Sequence, residues 1–275
     1  MKKLTIAIAL LLSASAAVTT TEAASKWTSY RIMLDPGHGG SDPGATGPSA
    51  PHEAELALRC ANSLQTQITG STLGGTVKMT RTSNTDVSLS SRRSMSISYD
   101  PYIFCSIHLN AFNGTANGTE TWYYWSAGNS SALANKVQAR LVAQLGRVNR
   151  GVKQNGWTVI TGASTIPAIL TEALFVDNST EWGMINTTSK DGFKAWVNGH
   201  LYGFYDHLKG VLGADVVDPT TSGTVTPPAD PTLTVSASGL YFDCYQNETP
   251  TLTFTVSGSN LTSDITVVSL SLIHI

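Results

Sequence analysis

The sequence predicts an α/β domain with a mixed, largely parallel sheet flanked by helices, followed by a truncated small β domain. Three observations lead to this prediction. Between Tyr30 and Leu208, short apolar runs alternate with longer segments whose apolar residues recur every three or four positions. Residues 218–231 then contain four prolines among Thr, Ser, Gly and Asp. After them, apolar and polar residues alternate, as they do in β-strands.

The elements of the first domain follow in order from these patterns. Strands are predicted at Tyr30–Leu34, Val77–Thr80, Tyr102–Leu109, Thr121–Trp125, Val159–Thr161 and Ala168–Thr171. Helices are predicted at Glu53–Ile68, Ser88–Ile97, 133–145 with Gly146 as its cap, and Phe193–Leu208. The run Tyr102–Leu109 is interrupted only by Ser106 and His108, which is typical of a strand buried on both faces.

The ends of the chain are predicted to lie outside the first domain. Lys2 and Lys3 precede the apolar run Leu4–Leu12 and then small residues, which indicates a signal peptide over 1–23 and an exported protein in the periplasm, cell envelope or extracellular space. The first domain then spans 26–212, and a Pro/Thr-rich linker spans 213–231. Residues 232–275 are too few for a complete β-sandwich, and 270–275 are interpreted as possible translated sequencing adapter.

The composition narrows the classes of partner. Charged residues make up 13% of the chain and its net charge is −2, so no strong field attracts nucleic acid or anionic lipid. A neutral glycan–peptide polymer is a better match. Three cysteines are too few for a disulfide framework, and the sequence leaves open whether Cys60 and Cys105 pair.

Three separate segments carry candidate metal ligands. His38 follows the first strand in a glycine-rich turn, His108 lies at the end of the buried strand, and Glu53 opens a helix. The carboxyl ends of parallel strands meet at one edge of a sheet, so these side chains are expected to converge there. Two imidazoles and one carboxylate, with a fourth position for water, are typical of catalytic zinc. Glu55 is the alternative to Glu53, and about 200° of helix rotation separates the two.

A fourth segment supplies a candidate base. The apolar run Pro167–Thr171 ends in the single carboxylate of Glu172. A carboxylate at this edge of the sheet could accept a proton from the attacking water and later return it to a leaving nitrogen. Glu172 is therefore the predicted catalytic residue.

Several ordered blocks resemble one known family. The blocks DPGHGG, MTRT, SIHLNA, GTETWYYW and LTEALFVDN, together with Glu53 at a helix start, resemble the zinc-dependent N-acetylmuramoyl-L-alanine amidases of the amidase-3 family. The resemblance covers roughly Tyr30 to Leu208. It implies one zinc ion held by His38, Glu53 and His108, with Glu172 as the catalytic residue.

The resemblance also implies a reaction and a substrate. The expected reaction is hydrolysis of the amide between N-acetylmuramic acid and L-alanine in peptidoglycan, by a monomer without a membrane span once the signal is cleaved. Two alternatives stay open: a zinc peptidase that cuts cell-wall stem peptides, and an inactive cell-wall binding module. The products formed from cell walls would separate the three.

Other polar residues are weaker candidates for substrate contact or for support of the site. Asn110 could orient ligands or substrate, or stabilise a turn. Glu120 could contact substrate, although a structural role at a strand is favoured. Arg93 and Arg81 match the family pattern, and internal ion pairs are predicted for both in preference to substrate binding.

Overall fold

The computed structural model describes residues 26–220, apart from positions 126, 163–164 and 214–215. The predicted signal peptide at 1–23, residues 221–231 of the linker and the β domain at 232–275 lie outside the described residues. Their assignments therefore stay predictions.

The described residues form a six-stranded sheet and five α-helices. The strands are β1 (Arg31–Pro36), β2 (Thr76–Met79), β3 (Ile103–Asn110), β4 (Thr119–Tyr123), β5 (Asn149–Gln154) and β6 (Ala168–Phe175). The helices are α1 (Glu53–Thr69), α2 (Leu89–Tyr99), α3 (Ser130–Leu145), α4 (Ser179–Ile185) and α5 (Asp191–Leu212). In the part of the chain that is described, none of them has the length and apolar character needed to cross a membrane.

The sheet is mixed and largely parallel, as the sequence predicts. Its strand order is β2-β1-β3-β6-β4-β5. All neighbouring pairs are parallel except β4 and β6, which are antiparallel. The central strands β1, β3 and β6 therefore bring their carboxyl ends to the same edge, where the sequence places its candidate residues.

Successive residues of each central strand point into two different cores. Ile32 and Leu34 of β1 pack with α1, α3 and α5 in the larger core, where Phe204 and Trp196 are fully buried. Met33, between them, packs in a smaller core with α2 and the segment around Ile160. We call these sides the packed face and the site face, because His108 and Glu172 lie on the second.

The sequence prediction was wrong for one strand and missed one strand and one α-helix. The run predicted as the strand Val159–Thr161 overlaps a 3-10 helix at Thr158–Ile160, which packs in the smaller core. Strand β5 was missed because its residues, NRGVKQ, lack apolar alternation. Helix α4 was missed because it has only seven residues; the side chain of its N-cap Asn178 accepts bonds from the amides of Thr180 and Glu181.

The two described cysteines are buried free thiols. Cys60 of α1 and Cys105 of β3 both pack in the larger core with no exposed surface. Burial raises the pKa of Cys105 above its ordinary value, which keeps the thiol protonated. The described residues thus favour a packing role for both.

Candidate metal centre

A row of polar side chains crosses three neighbouring strands on the site face. His108 of β3 lies in register with Glu172 of β6, and Glu172 lies in register with Glu120 of β4. Residues in register on adjacent strands point to the same side of a sheet. The strands themselves therefore place the predicted ligand beside the predicted base.

The loop after β1 brings His38 to the end of this row. His38 has a φ of 57°, a left-handed conformation that is uncommon for residues other than glycine and is found often at functional sites. Its Nδ1 lies 2.8 Å from Oδ2 of Asp42, which directs Nε2 inward. Gly37 precedes it, and a Cβ at that position would overlap the ring of His108.

Three ligand atoms converge from His38, Glu53 and His108. Nδ1 of His108 lies 2.9 Å from Oε1 of Glu53 and 3.2 Å from Nε2 of His38, and that Nε2 lies 3.1 Å from the same oxygen. A tetrahedral zinc site with bonds of roughly 2.0–2.1 Å has edges of roughly 3.3 Å, so the observed triangle fits one face of such a site. Glu55, the alternative ligand, faces away and pairs with Arg59.

Backbone amides fix the orientation of Glu53. The amide of Leu109 donates to Oε1 at 3.0 Å, and that of Ala45 donates to Oε2 at 2.7 Å. Burial acts to raise the pKa of this carboxyl, but hydrogen bonds from His108 and His38 hold it below its ordinary value. The carboxylate is therefore ionised, as a metal ligand must be.

The electrostatics of His38 indicate a site suited to a cation. Burial acts to lower the pKa of His38, but contacts with Glu53 and Asp42 raise it to about 9. A proton on this ring is thus stabilised when no other cation is present. Metal binding would replace that proton, so the donor set fits a divalent ion.

Glu172 lies in the wall of a cleft beside the three converging residues. The cleft has a volume of about 830 Å³, and its lining includes Asp42, His38, His108, Trp157 and Leu89. Burial raises the pKa of Glu172 well above its ordinary value, and the charges of Glu53 and Glu120 add to the effect. Its Oε2 is buried and has no hydrogen-bond partner among the described residues.

Two arginines that bind backbone carbonyls hold the His38 loop in place. Arg92 of α2 donates to the carbonyls of Pro36 and His38 and pairs with the buried carboxylate of Asp35 at 2.6 Å. Arg81 donates to the carbonyls of Pro36 and Gly37. The sequence reasoning did not single out Arg92, although its neighbour in the sequence was named.

The weaker candidates have structural contacts. The ion pairs predicted for Arg81 and Arg93 are wrong: no described carboxylate pairs with either, and Arg93 donates to the carbonyl of Thr161 at 3.0 Å. Asn110 donates to Oε1 of Glu120 at 3.1 Å. Glu120, 4% exposed, also binds two cations of β5, so its contacts agree with the structural role that was favoured.

The chain is similar to known proteins of one family. Residues 32–197 match the amidase-3 family model, described as N-acetylmuramoyl-L-alanine amidase. The chain is 37% identical over 153 residues to N-acetylmuramoyl-L-alanine amidase LytC of Bacillus subtilis, covering 54% of this chain and 30% of that protein. It is 34% identical over 160 residues to the sporulation-specific N-acetylmuramoyl-L-alanine amidase of the same species, covering 58% of this chain and 61% of that one.

A solved structure shows the same similarity. The crystal structure of N-acetylmuramoyl-L-alanine amidase from Clostridium difficile 630 matches with a TM-score of 0.61 and 32% identity, over 66% of this chain and 97% of that one. The chain spans less than two thirds of the length of the two Bacillus relatives.

Proposed function

This chain belongs to the amidase-3 family of N-acetylmuramoyl-L-alanine amidases, and on that premise we propose that it hydrolyses the amide bond between N-acetylmuramic acid and L-alanine in peptidoglycan. The observation that carries the proposal is the triangle of His38, Glu53 and His108, with Glu172 in register beside His108 on the neighbouring strand. Ligands without a neighbouring base would equally suit a structural metal site, whereas this pairing is what hydrolysis requires.

We propose that Nε2 of His38, a carboxylate oxygen of Glu53 and Nδ1 of His108 hold one zinc ion. When bound there, zinc supplies a Lewis acid for the carbonyl and makes the attacking water more acidic. Asp42 keeps Nδ1 of His38 occupied, and the amides of Leu109 and Ala45 keep the Glu53 carboxylate facing inward.

The remaining steps belong to Glu172. Its carboxylate accepts a proton from the attacking water and then donates that proton to the nitrogen of the leaving alanine. A carboxyl whose pKa is raised by burial is a good proton donor near neutral pH, and a bound cation would restore its basic form before the attack. The side chains of Trp157 and Leu89 also line the cleft that holds Glu172.

The proposed substrate sets the place where the protein acts. Peptidoglycan lies outside the cytoplasmic membrane, so we propose an exported protein in the cell envelope or beyond it. The lysines and apolar run within 1–23 support this as the signal for export. The monomeric state expected from the sequence stays a prediction.

Digestion of purified peptidoglycan tests the proposal. We expect wild-type protein to release free alanine amino termini from intact glycan strands, to lose this activity after chelation and to regain it with zinc. His108→Ala should bind less zinc and show no activity, whereas His52→Ala, next to the site but outside the triangle, should retain both. Cleavage within the stem peptide would replace the proposal with a peptidase, and wall binding without cleavage would replace it with a binding module.

A further inference from the structure

Two cations of the edge strand β5 are held by Glu120, which lies in register with the proposed base Glu172 on the neighbouring strand. Nε of Arg150 lies 2.8 Å and Nζ of Lys153 lies 2.6 Å from Oε2 of Glu120. The other oxygen of Glu120 accepts from Asn110 and from the indole of Trp122, each at 3.1 Å. Each carboxylate oxygen of Glu120 thus has two donors. Glu120, Arg150 and Lys153 together carry one net positive charge.

Both cations keep donors that no described residue uses. The hydrogen bonds of the described residues engage only Nε of Arg150, which leaves its two Nη groups available. Lys153 uses its Nζ for one carboxylate oxygen. Each side chain is 35% exposed and lies over an aromatic ring, Arg150 over Phe175 and Lys153 over Trp122. The charges are therefore held in position but remain accessible to a ligand.

The position of Arg150 and Lys153 relates them to the amine side of the scissile bond. Glu172 has His108 on one neighbouring strand and Glu120 on the other, so the metal ligands and the cations lie on opposite sides of the base. Because Glu172 returns its proton to the leaving nitrogen, the leaving alanine lies at Glu172, and a subsite at these cations requires the peptide after it to continue across β4 to β5. Strands are about 4.8 Å apart and an extended peptide advances about 3.4 Å per residue, so β5 is reached within about two to three residues.

We propose that Arg150 and Lys153 form a subsite for a carboxylate of the leaving peptide, at the residue that follows the leaving alanine. The proposal rests on the proposed function and adds a substrate preference to it. The recognised class is an acidic peptide with a free carboxylate at that residue, as opposed to its carboxamide. A guanidinium beside an ammonium suits a carboxylate, since the guanidinium can bind both of its oxygens.

A matched pair of substrates tests the subsite. Two muramoyl peptides would differ only in whether the second residue carries a free α-carboxylate or a carboxamide, and kcat/KM would be measured for both. We expect wild-type protein to prefer the carboxylate by about tenfold, as for a hydrogen bond to a charged group. Arg150→Gln and Lys153→Gln should each reduce this preference severalfold, because kcat/KM should fall more for the carboxylate substrate than for the carboxamide.

Controls separate substrate recognition from structural damage. Lys194→Gln removes a 60% exposed cation on α5 and should keep the wild-type preference. Thermal unfolding of each variant checks the fold. Equal rates for the two substrates with wild-type protein, or an equal loss on both in the variants, would overturn the subsite while leaving the amidase activity in place. Failure of wild-type protein to cleave either muramoyl amide would refute the proposed function itself.

Discussion

The two faces of the sheet use the same strands for different purposes. On the packed face, β1 presents Ile32 and Leu34 to α1, α3 and α5. On the site face, the alternate residue Asp35 is fully buried against Arg92, and in β3 the corresponding polar residues are Ser106 and His108. The first set excludes water without directional bonds, whereas each member of the second depends on a specific partner.

Alternate residues of one strand therefore have different roles. Those on the packed face stabilise the fold, and the polar ones on the site face support the chemistry. Apolar burial contributes about 25 cal/mol per Å², so the packed face can stabilise the fold without exact side-chain orientation. Buried acids cost free energy unless they are paired, so the site face must be supported by hydrogen bonds. Substitutions on the two faces should therefore change different measured properties.

The largest expected effect is the loss of catalysis on the site face without loss of stability. Glu172→Gln should lower kcat by about 10²–10⁴-fold, because general acid–base catalysis contributes that much. Burial already raises the pKa of Glu172, so the neutral amide should leave the melting temperature equal or higher. Glu55→Gln, at an exposed acid of α1, is the matched control and should retain wild-type turnover. Retained turnover in Glu172→Gln would remove this residue from the mechanism.

The converse experiment targets the packed face. Phe204→Ala should lower the free energy of unfolding by about 3–5 kcal/mol, because a fully buried ring leaves a cavity. Turnover per folded molecule, measured at low temperature, should stay close to wild type. Phe112→Ala makes the same chemical change where the ring is 79% exposed and should alter stability little. If Phe204→Ala changed the turnover per folded molecule more than it changed the free energy of unfolding, the two faces would not be independent.

A smaller expected effect is a loss of stability at acid pH, caused by His207 of α5, which packs on the packed face. Burial, followed by the charge of Lys136, lowers the pKa of His207 to about 4. The folded state therefore keeps this ring neutral while the unfolded chain takes up a proton below about pH 6.5, so stability is lost as the pH falls from 6.5 toward 4. By pH 5.5 the loss should be about 1 kcal/mol for this group.

Urea unfolding of His207→Leu at pH 7.5 and 5.5 checks this expectation. The variant should lose less free energy of unfolding between the two pH values than wild type. His200, whose pKa burial also lowers to about 4, remains in the variant and should leave part of the pH dependence in place. An unchanged difference between the two pH values would show that His207 does not titrate on unfolding.

The sequence predicted the elements whose patterns are local and strong. Strand β3 was predicted because both of its faces are apolar, and α1 because Leu56, Cys60, Leu64 and Ile68 recur on one side. Strand β5 was not predicted, because an edge strand that carries Arg150 and Lys153 lacks the apolar pattern of a buried one. Its pairing depends on β4, which is distant in sequence, so local reasoning could not detect it.

The candidate residues were predictable for a related reason. His38, His108 and Glu172 follow apolar runs, so the topology brings them to one edge. Their supports were harder to find. Arg92 and Arg93 are adjacent on α2, and only the packing of that helix decides which guanidinium turns inward to Asp35. The contact joins residues 57 positions apart, and no local pattern encodes it.

No strand among the described residues pairs with the outer edge of β5, and this has a consequence for handling the protein. An unpaired edge strand is a template for pairing with another chain, and charged side chains along it oppose such aggregation. Neutralising Arg150 and Lys153 together would remove both basic side chains of this edge at once. Work on this strand should therefore change one residue at a time and monitor solubility, since a precipitating double variant would resemble an inactive one.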